Sequence, residues 1–260
     1  MNKEKIIAVV PARLNSSRLP NKPLAKINQY SMVGHVLKRA ELCKSLDQVF
    51  VATCDTQIYD HILEIGGNAV MTSDKHERAS DRAAEAVQKI EKTQNTKFDI
   101  IAMIQGDEPM ITPQMIEKAI EPLVANRDLQ ITNLMAKIEN IDEFEDPAEV
   151  KVVFDKNKNA LYFSREPIPS RKKGSNTVSM FKQVCVIPFK RDFLFKYNSL
   201  PQTPLEIFES VDMNRVLEYG YKIKMVEIND ITYSVDTLKD LKRVIKIMRS
   251  DKLIHNYNEA

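Results

Sequence analysis

The chain opens on a continuous apolar run, residues 6–10, rich in β-branched side chains and closed by Pro11. Consecutive apolar positions over that length suit a strand buried on both faces, as in a parallel sheet. Residues 49–53 repeat the pattern and end in the polar Cys54-Asp55-Thr56, and residues 69–71 and 100–104 give two more strands. Between these runs the period becomes helical. Val33, Val36, Leu37 and Ala40 share one face; Ile58, Ile62 and Ile65 share another, stopped by Gly66-Gly67; residues 80–92 form a third helix. Met115, Ile116, Ala119, Ile120 and Leu123 follow a Thr112-Pro113 start, where proline suits the first helical turn. This alternation predicts an α/β fold with a doubly wound, mostly parallel sheet. Ligands of such sheets lie beyond the carboxyl ends of the strands.

The second half has a different rhythm. Residues 129–137, 150–155, 160–164 and 181–187 read as strands, separated by polar loops at 155–158 and 170–177. The RKKGSN stretch of the latter is expected to be exposed, with solvated charges. Helices are expected over 204–218 and 237–249, with a strand over 222–228 between them. No repeat, low-complexity tract or linker interrupts the chain. Residues 1–260 therefore read as one domain in which about 129–190 form a strand-rich elaboration, suited to closing a substrate pocket or forming a dimer interface.

A chain of 260 residues can bury a substantial core. Its 38 Lys and Arg nearly balance 36 Asp and Glu, and no polybasic block occurs, which argues against nucleic acid as a partner. Cys43, Cys54 and Cys185 are odd in number and widely spaced, so neither a disulfide framework nor a zinc site is expected. They read as reduced thiols acting as small core residues. No apolar run has membrane-spanning length, and the first is too short for a signal peptide. The expectation is a cytoplasmic protein with no membrane partner.

Chemistry concentrates where strands end. Arg13, Arg18 and Lys22 follow the first strand, with small Ala12, Ser16 and Ser17 that allow close backbone approach. Cations in such a loop suit a triphosphate, with arginine as a planar fork and lysine as a point charge. Asp107, in Gln105-Gly106-Asp107-Glu108-Pro109 after the 100–104 strand, is placed to hold Mg²⁺, a cation that prefers hard oxygen ligands. Asp236 is a second candidate; Thr237 with Asp240 can cap the following helix, leaving Asp236 free. No GxGxxG, GxxxxGK[ST] or GxSxG pattern is present, which removes the common alternatives. His35 and His61 sit in helical patterns and read as structural, whereas His76 lies in a polar turn with Arg78 and Arg82.

Residues 11–24, PARLNSSRLPNKPL, resemble the PARxxSxRLPxKPL signature of the 3-deoxy-manno-octulosonate (Kdo) cytidylyltransferases. The likeness continues in order through residues 51–53, QGDEP at 105–109, KVV at 151–153, LYFSR at 161–165 and VDT at 235–237. The resemblance implies a Rossmann-like nucleotidyltransferase, a homodimer, that joins CTP to a 2-keto-3-deoxy sugar acid with Mg²⁺ and releases pyrophosphate. It implies that Pro11, Ala12, Arg13, Ser17, Arg18, Lys22, Ala79, Arg82 and Gln105 bind the nucleotide. Arg13, Arg18, Lys22, Asp107 and Asp236 would carry catalysis, and the two aspartates would hold the metal. Gln105, Arg165, Gln183, Glu209 and Asp212 would face the sugar acid. No dedicated general base is then required, because magnesium can lower the pKa of the attacking hydroxyl.

Three stretches depart from that pattern. HxSGTxR becomes His76-Glu77-Arg78-Ala79-Ser80-Asp81-Arg82; KHxGIYGY becomes residues 182–189, with Gln183 and Ile187 for the histidine and tyrosine; LEQLR becomes Val211-Asp212-Met213-Asn214-Arg215. The leading expectation is a cytidylyltransferase acting on Kdo or a close relative. A variant octulosonate or a nine-carbon ulosonic acid is the alternative acceptor. A nucleotide-binding regulator without catalysis is the third reading, which retention of both aspartates disfavours.

Overall fold

A computed structural model describes residues 3–16, 18–172 and 179–258. Most of the RKKGSN stretch lies outside the described residues. Strand β1 (Ile6–Ala12) leads into a short hairpin, β2 (Lys26–Ile27) and β3 (Tyr30–Ser31), and then α1 (Met32–Glu41). The alternation continues through β4 (Gln48–Thr53), α2 (Thr56–Glu64), β5 (Ala69–Met71), α3 (Ala79–Gln94), β6 (Ile100–Ile104) and α4 (Pro113–Ala125). Next come β7 (Thr132–Lys137), α5 (Ile141–Glu145), β8 (Lys151–Phe154), β9 (Ala160–Ser164), β10 (Phe181–Val184) and β11 (Val186–Lys190). The chain closes with α6 (Arg191–Ser199), α7 (Pro204–Glu209), α8 (Met213–Glu218), β12 (Lys224–Ile228), α9 (Leu238–Met248) and α10 (His255–Asn258).

The first sheet has the order β11-β6-β1-β4-β5. Its inner pairs are parallel and only β11, on the edge, runs antiparallel. The continuous apolar run of β1 has a direct cause. Ile6, Ala8 and Val10 pack into one core with α1 and α4, while Ile7 and Val9 pack into another with α3. Each of these isoleucine or valine side chains removed from water contributes about 1.5–3 kcal/mol. The second sheet, β12-β7-β10-β8-β9, is antiparallel apart from β7 beside β12. A bridge between Ile131 and Phe189 joins the two sheets.

Two expected elements are each two. Residues 181–187 are not one strand: β10 belongs to the second sheet and β11 to the first, and the chain crosses between them at Cys185. That crossing is anchored, since the Cys185 N–H donates to Glu108 Oε1 at 3.2 Å and its carbonyl accepts from the Gln105 N–H at 3.0 Å. Residues 204–218 are not one helix, because Ser210 takes a left-handed φ of 51° and separates α7 from α8. Helix α6 was not expected from the pattern at all.

The end of the chain braces its beginning. His35 Nε2 lies 2.7 Å from the Ile27 carbonyl, which can only accept, so Nε2 carries the proton and Nδ1 accepts from the Tyr257 hydroxyl at 2.8 Å. The buried Arg39 donates from Nε to that same hydroxyl at 3.2 Å. Burial, aided by the Arg39 charge and opposed by the bond to Ile27, pushes the His35 pKa down to about 4. The unfolded chain therefore takes up this proton first as pH falls. Stability from neutral His35 is present above about pH 6.5 and is lost progressively toward pH 4. Between pH 7 and 5 the wild-type chain is expected to lose about 2 kcal/mol more unfolding free energy than His35→Gln. Denaturant titrations at the two pH values measure this, and identical losses in both proteins would remove His35 as the cause.

Candidate functional site

The loop after β1 is shaped by local bonds. The Leu14 N–H donates to Asp55 Oδ2 at 2.8 Å, and Asn21 adopts a left-handed φ of 55° before a turn at residues 22–24. This brings Lys22 Nζ to 2.7 Å from Asp107 Oδ2 and 2.9 Å from Asp236 Oδ1. Arg18 reaches Asp236 Oδ1 at 3.0 Å from a more exposed position. Burial lowers the Lys22 pKa and is the largest single influence, but the two carboxylates outweigh it and hold Lys22 above its ordinary value. Lys22 is thus a fixed cation between two carboxylates.

Each carboxylate arrives by a different route. Asp107 follows β6 in a tight turn whose Gly106 passes close to β1; a Cβ there would stand 3.1 Å from the Pro11 carbonyl oxygen. Asp236 precedes α9, which is capped by reciprocal bonds between Thr237 and Asp240. The cap leaves the Asp236 carboxylate for Lys22 and Arg18, as the spacing suggested. Among the described residues no cluster of three or more His, Cys, Asp or Glu side chains could hold a metal unaided.

Two cavities open on this ion cluster. The first, about 350 Å³, is lined by Pro11, Ala12, Arg13, Arg18, Lys22, Ala79, Arg82, Gln105, Asp107 and Asp236. Every nucleotide-side candidate is there except Ser17, which lies outside the described residues. Arg82 is held by Thr72 Oγ1 at 2.5 Å and the Ser73 carbonyl at 3.1 Å. The second cavity, about 190 Å³, contains Arg165, Gln183 and Asp212 together with Glu108, Glu149, Cys185, Ile187 and Met213. Arg18, Gln105, Asp107 and Asp236 line both. A larger hollow of about 670 Å³ beside α4 shares no residue with either.

Glu209 is placed differently from expectation. It lines neither cavity. Its carboxylate accepts from the Tyr162 hydroxyl, the Ser164 hydroxyl and the Arg165 N–H, each at 2.8 Å. Its carbonyl takes the Arg165 Nε–H at 2.8 Å, so Glu209 anchors Arg165 from behind. The carbonyls of Pro147 and Ser210 hold the other guanidinium nitrogens without neutralising the charge. Cys185 also differs from expectation, as a half-buried thiol in the second cavity rather than a core filler.

Several residues at the site were not singled out by sequence. Glu108 is buried, and burial, with the neighbouring Asp107 charge, pushes its pKa up to about 8. Arg78 lines the first cavity and donates from a terminal guanidinium nitrogen to Asp212 Oδ1 at 3.0 Å, while its Nε lies 3.7 Å from Glu206. Burial raises the Asp212 pKa and Arg78 opposes that rise. The signal for this pair was present: Arg78 and Asp212 both fall in stretches that depart from the family pattern, 134 positions apart. Two of the three departures meet in one ion pair.

A cation loop after the first strand of a parallel sheet, facing one carboxylate past a strand end and one before a helix across two adjoining cavities, is the arrangement of a nucleotidyltransferase. Residues 7–228 match the family model described as cytidylyltransferase. A 3-deoxy-manno-octulosonate cytidylyltransferase of Fusobacterium nucleatum is 41% identical over 249 residues, covering 96% of this chain and 99% of that protein. One of Geobacter metallireducens is 38% identical, covering 93% and 97%. A solved structure of CMP:2-keto-3-deoxy-manno-octonic acid synthetase complexed with CTP superposes with a TM-score of 0.86 at 35% identity, covering 95% of this chain and 99% of that one. The chain belongs to the cytidylyltransferase family.

Proposed function

We propose that the chain transfers CMP from CTP to Kdo, or to a closely related 2-keto-3-deoxy sugar acid, releasing pyrophosphate. The observation that carries this reading is the meeting of two cavities at Arg18, Gln105, Asp107 and Asp236, with Lys22 between the aspartates. The first cavity, lined by Arg13, Arg18, Lys22 and Arg82, suits an anionic nucleotide. The second, lined by Arg165 and Arg18, suits a smaller carboxylate. Asp107 and Asp236 both lie within hydrogen-bond distance of one lysine nitrogen, so two hard carboxylates converge where the phosphates would stand. They fit Mg²⁺, which takes its remaining ligands from phosphate and water. Asp107 and Asp236 would hold the ion, which when bound would shield the phosphates and acidify the attacking hydroxyl.

The other tasks fall to side chains of this chain. Arg13 and Arg18 draw the triphosphate in, and Lys22 offsets charge on the departing pyrophosphate. Arg165, held in place by Glu209, attracts the acceptor carboxylate. The anomeric oxygen then bonds to the α-phosphorus as the bond to pyrophosphate breaks, and the hydroxyl proton passes to solvent.

A pyrophosphate-release assay with CTP, magnesium and a panel of ulosonic acids tests the reading, with the other triphosphates as competitors. No turnover with any pair would overturn it. Gln183, Ile187 and Met213 in the second cavity favour a modified octulosonate or a nine-carbon acid as a second reading of the acceptor. A clear preference for plain Kdo would dispose of that version.

We also read residues 1–260 as one domain, the elaboration expected over about 129–190 being the second sheet, which leaves β11 to the first sheet and adds β12, and the protein as a cytoplasmic homodimer. No helix among the described residues is long and apolar enough to cross a membrane. Phe208 is 84% exposed and Ile207 56% exposed on α7, which Glu209 ties to the edge strand β9. Exposed aromatic and branched residues beside a sheet edge suit a self-association surface. Phe208→Asp is expected to shift the mass measured by light scattering from that of two chains to that of one. A variant that stays dimeric would place the interface elsewhere.

A further inference from the structure

The second cavity carries an amide whose orientation is forced by the strands beneath it. Gln183 on β10 stands opposite Met135 on β7, so Asn133, two residues back along β7, is its diagonal neighbour on the same face. Asn133 is fully buried. Its Nδ2 donates to the Val184 carbonyl at 2.8 Å and to the Leu134 carbonyl at 3.0 Å. Backbone carbonyls only accept, so both amide hydrogens of Asn133 are committed and Oδ1 must be the atom that faces Gln183. That oxygen accepts from Gln183 Nε2 at 2.6 Å. The sequence of donors leaves Gln183 one arrangement, with its nitrogen toward Asn133 and Oε1 turned away. Oε1 accepts no hydrogen bond from the described residues, it is not sealed from solvent, and Gln183 lines the second cavity.

We infer that Asn133 is a positioning residue for acceptor choice: it locks Gln183 so that the cavity presents a hydrogen-bond acceptor, Oε1, to a hydroxyl of the sugar acid. This rests on the second cavity being the acceptor side, as proposed above. Met103, Ile187 and Met213, on the same cavity, offer no strong polar atom, and its Asp107, Asp236 and Asp212 carboxylates already face Lys22 or Arg78. An acid lacking a hydroxyl at that point strips water from Oε1 and gives nothing back, which is the arrangement that discriminates strongly between similar substrates. Without Asn133 the amide is free to rotate and the cavity offers either a donor or an acceptor.

Steady-state kinetics of the full chain with CTP and Kdo, for Gln183→Met, Asn133→Ala and the double variant, test the inference. Gln183→Met is expected to raise the KM for Kdo about tenfold, the effect of one lost hydrogen bond, with the KM for CTP unchanged. Asn133→Ala should raise the Kdo KM by less, and the double variant should be no worse than Gln183→Met alone, since Asn133 acts through Gln183. Additive effects, or a CTP KM that rises in step, would overturn it. A second measurement needs no variant. The Gln183 side-chain NH₂ should exchange slowly with solvent in ¹⁵N NMR spectra, and rapid exchange in the wild-type chain would refute the locked orientation. Should the wild-type chain turn over no ulosonic acid, the proposed function falls separately, and amide exchange still decides the lock.

Discussion

Asp107→Asn is expected to lower kcat for pyrophosphate release by about 10²- to 10³-fold or more, with little change in unfolding temperature. Asparagine keeps the shape of the side chain and the turn after β6, so the backbone bond from the Val235 N–H to the Asp107 carbonyl at 3.0 Å is untouched. What disappears is charge. Lys22 loses one of its two counter-ions, and one of the two carboxylates that would hold magnesium becomes a neutral amide, a far weaker ligand for a hard cation. Lys22 keeps Asp236, so the fold has no cause to fail. Parallel measurements of turnover and thermal unfolding settle the matter. Activity within threefold of wild type would remove Asp107 from the chemistry.

The second large effect concerns stability. Glu206 on α7 is fully buried and pairs with the nearly buried Arg215 on α8, whose Nε donates to it at 2.6 Å. Burial lowers the Arg215 pKa, but the bonds and charge of Glu206 more than compensate and hold it above its ordinary value. Glu206→Ala strands that guanidinium among the ring of Tyr197 and the carbonyl of Leu200. Removing one member of a buried pair costs about 3–5 kcal/mol, and for a chain of this size the unfolding temperature should fall by about 10 °C. The double replacement Glu206→Leu with Arg215→Met should recover most of the loss, because apolar pairs of similar volume often substitute for buried ions. A single-variant loss below about 1 kcal/mol would show that the pair is not sealed from water.

The legible part of the fold was the part governed by local periodicity. Strands β5, β6 and β9 have the bounds their apolar runs suggested, and α4 begins at the Thr112-Pro113 signal, with the Met115 N–H donating to Thr112 Oγ1 at 3.2 Å. Periodicity does not encode which sheet a strand joins. Nothing in residues 181–187 marks Cys185 as the crossing point, because the crossing is held by Glu108 and Gln105, far away in the chain. Helix α6 was hidden for another reason: Phe193, Phe195 and Tyr197 alternate as strand residues do, and only packing of Phe193, Leu194 and Tyr197 into the core selects a helix. Arg13, Arg18, Lys22 and Asp107 of the candidate site were readable because they lie in the loops that two apolar runs open, and Asp236 because Thr237 and Asp240 can cap α9 without it. Glu108, Arg78, Glu206 and Asn133 were not, since each acquires its meaning from a partner that only the tertiary fold supplies.

The bracing of β2 by the last helix has a consequence for how the protein is made. Lys22 and Ile27 leave the ribosome early. Asp236, the second counter-ion of Lys22, lies 214 positions later, and Tyr257, which orients His35 beneath Ile27, lies 222 positions after that histidine. The strands paired with β1 on either side precede Asp236 in the chain, so the second ion pair of Lys22 forms only after residue 236 has been synthesised. A nascent chain that has reached α4 therefore offers Lys22 Asp107 alone, and its second counter-ion arrives only with the residues before α9.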